Sequence, residues 1–136
     1  MLQIADNPAL RAAIIYIALL VIGVVPLAVR IIAIRRGERI GMGDGGNRPL
    51  ARAIRVHANY VEYTTFGLAL LLALPLSNSP AWCVHFVGLC LIIGRIAHAI
   101  GLTGSSGSSL GRVGGMILTF TALLGGAAIL LWRAWG

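Results

Sequence analysis

The chain has 136 residues, 58% of them hydrophobic and 11% charged, a balance that excludes an ordinary soluble core and describes a membrane protein. Its net charge of +7 comes from arginine with no lysine, and most of the basic residues flank hydrophobic runs, which argues against nucleic acid as a partner and for membrane lipid. Cys83 and Cys90 lie inside an apolar run with neither CxxC nor zinc spacing, and read as small buried hydrophobes.

The first predicted span runs from Ala12 to Val29, uncharged and bounded by Arg11 and Arg30; extended to about residue 34 it is ample for a crossing of ~20 residues. It does not read as a signal peptide, because Asp6 precedes it and the run is longer than a signal core. Pro26 is expected to kink it. The second span, from Leu50 to Leu74, has a polar first half and an apolar second half. The third runs from Ala81 to Leu102 and carries Arg95 and His98 near its end, and the fourth covers about residues 112–133. The connections are a basic, Gly-rich loop (RRGERIGMGDGGNRP), a tight turn (PLSNSP) and a small-residue loop (TGSSGSSLG), which leave little room for a further domain. The predicted fold is therefore all-α, a four-helix integral membrane bundle in one domain.

Arginines 30, 35, 36, 39, 48, 52 and 55 crowd the first loop and its flanks. The positive-inside rule makes that loop cytoplasmic and both termini external. Trp82, Trp132 and Trp135 then fall at the outer ends of spans, where an aromatic belt is expected. In this orientation Arg52, Arg55, Asn59, Glu62, Arg95, His98 and Arg112 all belong to the cytoplasmic half.

RAIRVHANYVE, residues 52–62, leads straight into apolar sequence. An ionisable group at membrane depth costs on the order of 2.5–3.5 kcal/mol on insertion scales, so such groups must pair or meet a polar ligand. Arg52, Arg55, Asn59 and Glu62 are spaced to fall within about 80° of one helix face, with Tyr63 at its edge and His57 on roughly the opposite side. One reading is structural: Glu62 pairs with Arg55 or Arg95, and Asn59 bridges helices. The arginines nevertheless outnumber the single carboxylate of that half. The surplus suits either an anionic ligand with carboxylates or phosphates, or snorkelling to lipid headgroups. His98 shares a face with Arg95 and reads as a bridging hydrogen-bonder or a ligand. His85 reads as interfacial. His57 and His98 on different helices give no haem pattern, and no metal cluster or nucleophile–base pair is evident. Gly111 and Gly115 form a GxxxG pair read as close helix packing, either within the chain or between subunits.

RAIRVHANYVEY followed by an apolar run resembles the second-helix signature of the MAPEG family, membrane-associated proteins in eicosanoid and glutathione metabolism. GRIAHAIGL resembles the family's third-helix motif. RVGGMILTF and GMGDGGNRPL resemble segments of bacterial members, and together the resemblance covers about residues 12–132. It implies a bundle that assembles as a homotrimer in a bacterial inner membrane, with glutathione held between subunits. Carried over by position, it implies glutathione contacts at Arg52, Arg55, Asn59, Glu62, Tyr63, Arg95 and His98, and a weaker one at Arg30. Glu62 would take the ammonium and the arginines the carboxylates. Arg112 takes the place of the arginine that stabilises the thiolate, so the implied activity is a glutathione transferase or peroxidase acting on lipophilic electrophiles. The sequence departs from the pattern at Leu102, where several members carry Tyr near the thiol; the hydroxyls of Thr103–Ser109 are the nearby substitutes. The departure keeps open a binding protein without catalysis. A small proton-coupled transporter using Glu62 is the third alternative, disfavoured by the surplus arginines.

Overall fold

The computed structural model describes residues 6–104 and 107–135. Four helices follow one another: α1 (Pro8–Glu38), α2 (Arg48–Leu76), α3 (Ala81–Gly104) and α4 (Leu110–Trp135). The shortest has 24 residues, about 36 Å at 1.5 Å per residue, enough for a hydrocarbon core of ~30 Å.

Local chemistry sets the boundaries. Asn7 starts α1 by accepting a hydrogen bond from the Leu10 amide at 3.0 Å, with Pro8 in the first turn, where its missing N–H costs nothing. Asn47 and Pro49 repeat the device at α2, with a Leu50 N to Asn47 Oδ1 bond of 2.9 Å. Ser109 Oγ accepts from the Arg112 amide at 3.3 Å and opens α4. α1 continues as one helix through Pro26 and ends at Arg39 in the left-handed region.

The chain runs up and down, so the C-terminal ends of α1 and α3 meet the N-terminal ends of α2 and α4. This is the arginine-rich end: Arg30 Nη1 reaches Thr103 Oγ1 at 3.0 Å and Arg52 Nη1 reaches the Thr103 carbonyl at 3.3 Å. At the opposite end Arg133 binds the Ser77 and Asn78 carbonyls of the α2–α3 turn. The three tryptophans lie at that second end. There Tyr16 Oη also meets His85 Nδ1 at 3.0 Å.

α2 and α3 each touch every other helix, and α3 packs most extensively on α4; among the described residues α1 and α4 stay apart. Glycines permit the α3–α4 contact. A Cβ on Gly115 would lie 2.6 Å from the Gly94 carbonyl and the His98 amide, and one on Gly101 would lie 2.6 Å from the Arg112 amide. The Gly111/Gly115 pair therefore packs inside the subunit, the first of the two alternatives the sequence left open. The outer faces of α1, α3 and α4 expose large apolar side chains such as Ile22, Val25, Ile93, Ile100, Ile117 and Leu124, as lipid contact requires. α1, α3 and α4 are long and apolar enough to cross a membrane by length and composition. The expected second span, α2, falls short on composition because its first half is charged; it lies packed among the other three.

Candidate functional site

Arg95 is the buried charge of the bundle, 1% exposed. Nε and Nη2 both donate to Thr119 Oγ1 of α4, at 2.9 and 2.6 Å. Nη1 donates to Asn59 of α2, to Oδ1 at 2.9 Å and to the carbonyl at 3.4 Å. Nη2 also points at Met116 Sδ, 3.3 Å away. The guanidinium carbon stands 5.1 Å from the centre of the Tyr63 ring, a cation–π distance. An arginine has five N–H donors, and these contacts occupy all of them. Arg95 is thus a strut joining three helices, with its donors taken up by the protein. Thr119 in turn donates to the Gly115 carbonyl at 2.7 Å, so its hydroxyl is oriented to accept from the arginine.

Next to this strut, α3, α4 and the loop between them line an open-sided cavity of about 590 Å³. Its wall includes His98, Ser108, Arg112, Met116, Ile117 and Phe120, and none of its lining residues is acidic. His98 is 7% exposed. Arg112 donates through Nη1 to the Gly107 carbonyl. Phe120 meets Tyr63 edge-on at 5.8 Å, linking the cavity wall to the arginine strut. One end of the cavity is therefore cationic and the other apolar and next to lipid. Such a space suits an anionic group at the first end and a hydrophobic group at the second.

The remaining predicted residues separate into two groups. Arg30 and Arg52 converge on Thr103, in the last turn of α3, where cations complement both the free carbonyls and the helix dipole. Arg55 and Glu62 are exposed on the outer side of α2. Glu62 forms no ion pair with an arginine among the described residues; the expected pairing with Arg55 or Arg95 is absent because Arg95 turns inward to Asn59 and Thr119. Of the loop hydroxyls, Ser108 reaches the cavity, Ser109 caps α4 and Thr103 holds Arg30, while Ser105 and Ser106 lie outside the described residues. Leu102 is buried and is not among the cavity's lining residues.

Sequence reasoning missed Thr119, Met116 and Phe120. Thr119 had one available signal: it lies four residues after Gly115 in an otherwise apolar helix, the position of a hydroxyl that faces a tight helix contact. Met116 and Phe120 carried none, being ordinary members of an apolar run.

The model of the MAPEG family matches residues 13–132. Among curated proteins, the chain is similar to "Inner membrane protein YecN" of Escherichia coli K12, 37% identical over 71 residues, which is 52% of this chain and 54% of the relative. The protein of the same name from Escherichia coli O6:H1 matches to the same extent. The match thus spans about half the length of each curated relative. No solved structure matches the chain.

Proposed function

The chain belongs to the MAPEG family of membrane proteins, and we propose that it is a glutathione-dependent transferase or peroxidase acting on lipophilic electrophiles. The observation that carries this reading is the α3–α4 cavity, with His98 and Arg112 in its wall, no acidic lining residue, and an apolar rim of Val113, Ile117 and Phe120. In this reading the glutathione thiol enters from the arginine-rich end. Arg112 stands beside it, and the fixed charge of Arg95 lies behind Met116. Both favour the thiolate over the thiol, whose free pKa is about 8.5. The thiol proton passes to water, and the thiolate attacks an electrophile arriving along the apolar rim. With an electrophilic carbon the S–C bond forms as the leaving group departs with its electron pair. With a hydroperoxide the S–O bond forms as the O–O bond breaks, a second glutathione then reducing the sulfenic acid to the disulfide and water. Positioning and thiolate stabilisation supply the catalysis.

Glutathione carries two carboxylates and one ammonium. Arg55, with Arg52 beside it, suits the carboxylates, and Glu62 suits the ammonium. His98 and Tyr63 bound the ligand, and Asn59 and Arg95 hold α2 and α3 in register beneath it. Arg55 and Glu62 are exposed on the single chain, where lipid would be an unfavourable neighbour. A second subunit covers them in a homotrimer, with glutathione at the junction. The arginine and tryptophan distribution supports a bacterial inner-membrane protein with the first loop cytoplasmic and the termini periplasmic.

One observation favours a second reading, binding without catalysis: Leu102 supplies no phenol, and Ser108 is the side-chain hydroxyl among the cavity's described lining residues. Ultraviolet difference absorbance of reduced glutathione mixed with the purified protein separates the two. Bound thiolate at neutral pH that is lost in Arg112→Ala supports the enzyme. Bound glutathione without a thiolate signal supports the binding protein.

A further inference from the structure

We propose that the α1–α3 face holds one acyl chain of an anionic phospholipid, with the phosphate at Arg30. A half-enclosed groove of about 310 Å³ lies between these helices, lined by residues including Leu19, Gly23, Pro26, Tyr60, Ile96 and Ala99. Its floor is built, not accidental. Tyr60 reaches across from α2 and donates to the Leu20 carbonyl at 3.0 Å. Gly23 makes room for that phenol, because a Cβ at position 23 would overlap the Tyr60 hydroxyl. The groove is distinct from the cavity of His98 and Arg112. On α3 its residues Ile92, Ile96, Ala99 and Ile100 centre nearly opposite His98, at ~100° per residue.

The head of the groove is cationic. Arg30 follows Pro26 by one turn on α1, and Thr103 follows Ala99 by one turn on α3. Arg30 Nη1 donates to Thr103 Oγ1 at 3.0 Å, and no other hydrogen bond of Arg30 forms among the described residues. Its remaining donors are available to a phosphate, and Arg52 reaches the same threonine from α2. No carboxylate lines the groove. The length also fits. From Arg30 to Leu19 is eleven residues, about 16 Å of helix, close to half of a ~30 Å hydrocarbon core. A chain hanging from a phosphate at Arg30 thus runs along the groove to about the bilayer midplane. Charge complementarity at the head selects an anionic lipid over a zwitterionic one.

Native mass spectrometry of the detergent-purified full chain, with added phosphatidylglycerol or phosphatidylcholine, tests this without reference to glutathione. The expected result is one tightly retained phosphatidylglycerol per subunit, and phosphatidylcholine retained about tenfold more weakly, because both carry the phosphate but the choline ammonium brings a positive charge to the end that holds Arg30 and Arg52. Arg30→Gln should remove the preference between the two lipids. Ala99→Phe should block retention of both, with Leu27→Trp as the alternative where the first variant disturbs folding. Equal retention of the two lipids by the wild type would overturn the proposal. So would phosphatidylglycerol retention unchanged in both Arg30→Gln and a folded groove-filling variant. Retention of free oleate with no phosphatidylglycerol would overturn the choice of a phospholipid.

Discussion

A guanidinium buried between three helices needs every donor satisfied, because each orphaned N–H in a low-dielectric interior costs about 1–3 kcal/mol. Arg95 meets that condition through two side chains, Asn59 and Thr119, with the weaker Met116 sulfur and the Tyr63 ring closing the shell. Thr119 carries two of the bonds. Thr119→Val keeps the shape and removes the acceptor, so it should lower stability by about 1–3 kcal/mol. Thr119→Ser should restore most of it. Thermal unfolding of the two variants in one detergent checks this; equal loss in both would remove the hydroxyl from the account. The strut was only half legible in the sequence. The polar stripe on α2 and the pairing of Arg95 with His98 on one face were readable from spacing. Their partners were not read, because Met116 looks like any residue of an apolar helix until α4 is docked and Thr119 offered only its place four residues after Gly115.

At the level of the helices, the α3–α4 contact shapes the cavity. Backbones approach so closely at Gly94, Gly101, Gly111 and Gly115 that a methyl group has no space. Gly115→Ala should therefore part the helices, with an overpacking cost of about 1–3 kcal/mol. Gly114, with open space around its Cα, is the internal control: Gly114→Ala should be neutral or stabilise by up to about 1 kcal/mol. Thermal unfolding distinguishes them, and equal destabilisation by both would contradict the packing described. Helix positions were legible because long apolar runs between Pro-containing turns and Gly-rich loops leave few alternatives. The expected spans differ from the helices mainly by underestimating their ends. Whether Gly111 and Gly115 faced their own chain or another was not legible, since the motif specifies close approach and not the partner.

For the whole molecule, the proposed trimer rests on one exposed charged face. The chain's apolar outer faces suit lipid, but Arg55 and Glu62 sit exposed on α2 with no ion pair between Glu62 and an arginine among the described residues. Charged groups at membrane depth are rare unless covered, so a subunit contact along this face is expected. Light scattering of the purified protein in detergent should give the mass of a trimer. A monodisperse monomer that still binds glutathione would contradict a ligand site shared between subunits. The four-helix layout was legible in the sequence from the order of apolar runs and turns, and the family from the resemblance of RAIRVHANYVEY and GRIAHAIGL to its motifs. The cavity was not, because its walls come from the ends of two helices and a loop brought together only by the glycine contact.

The most direct test of the proposed glutathione site is calorimetric titration of reduced glutathione into the detergent-purified protein, with Arg55→Ala as the comparison. Arg52 is the less clean choice because it also holds the end of α3, whereas Arg55 has no hydrogen bond or ion pair among the described residues to lose. The account predicts saturable binding by the wild type and at least about a tenfold loss in Arg55→Ala, the cost of one charge-assisted carboxylate contact. A folded wild type that takes up no glutathione would contradict it and return the arginines of α2 to lipid or to another anion.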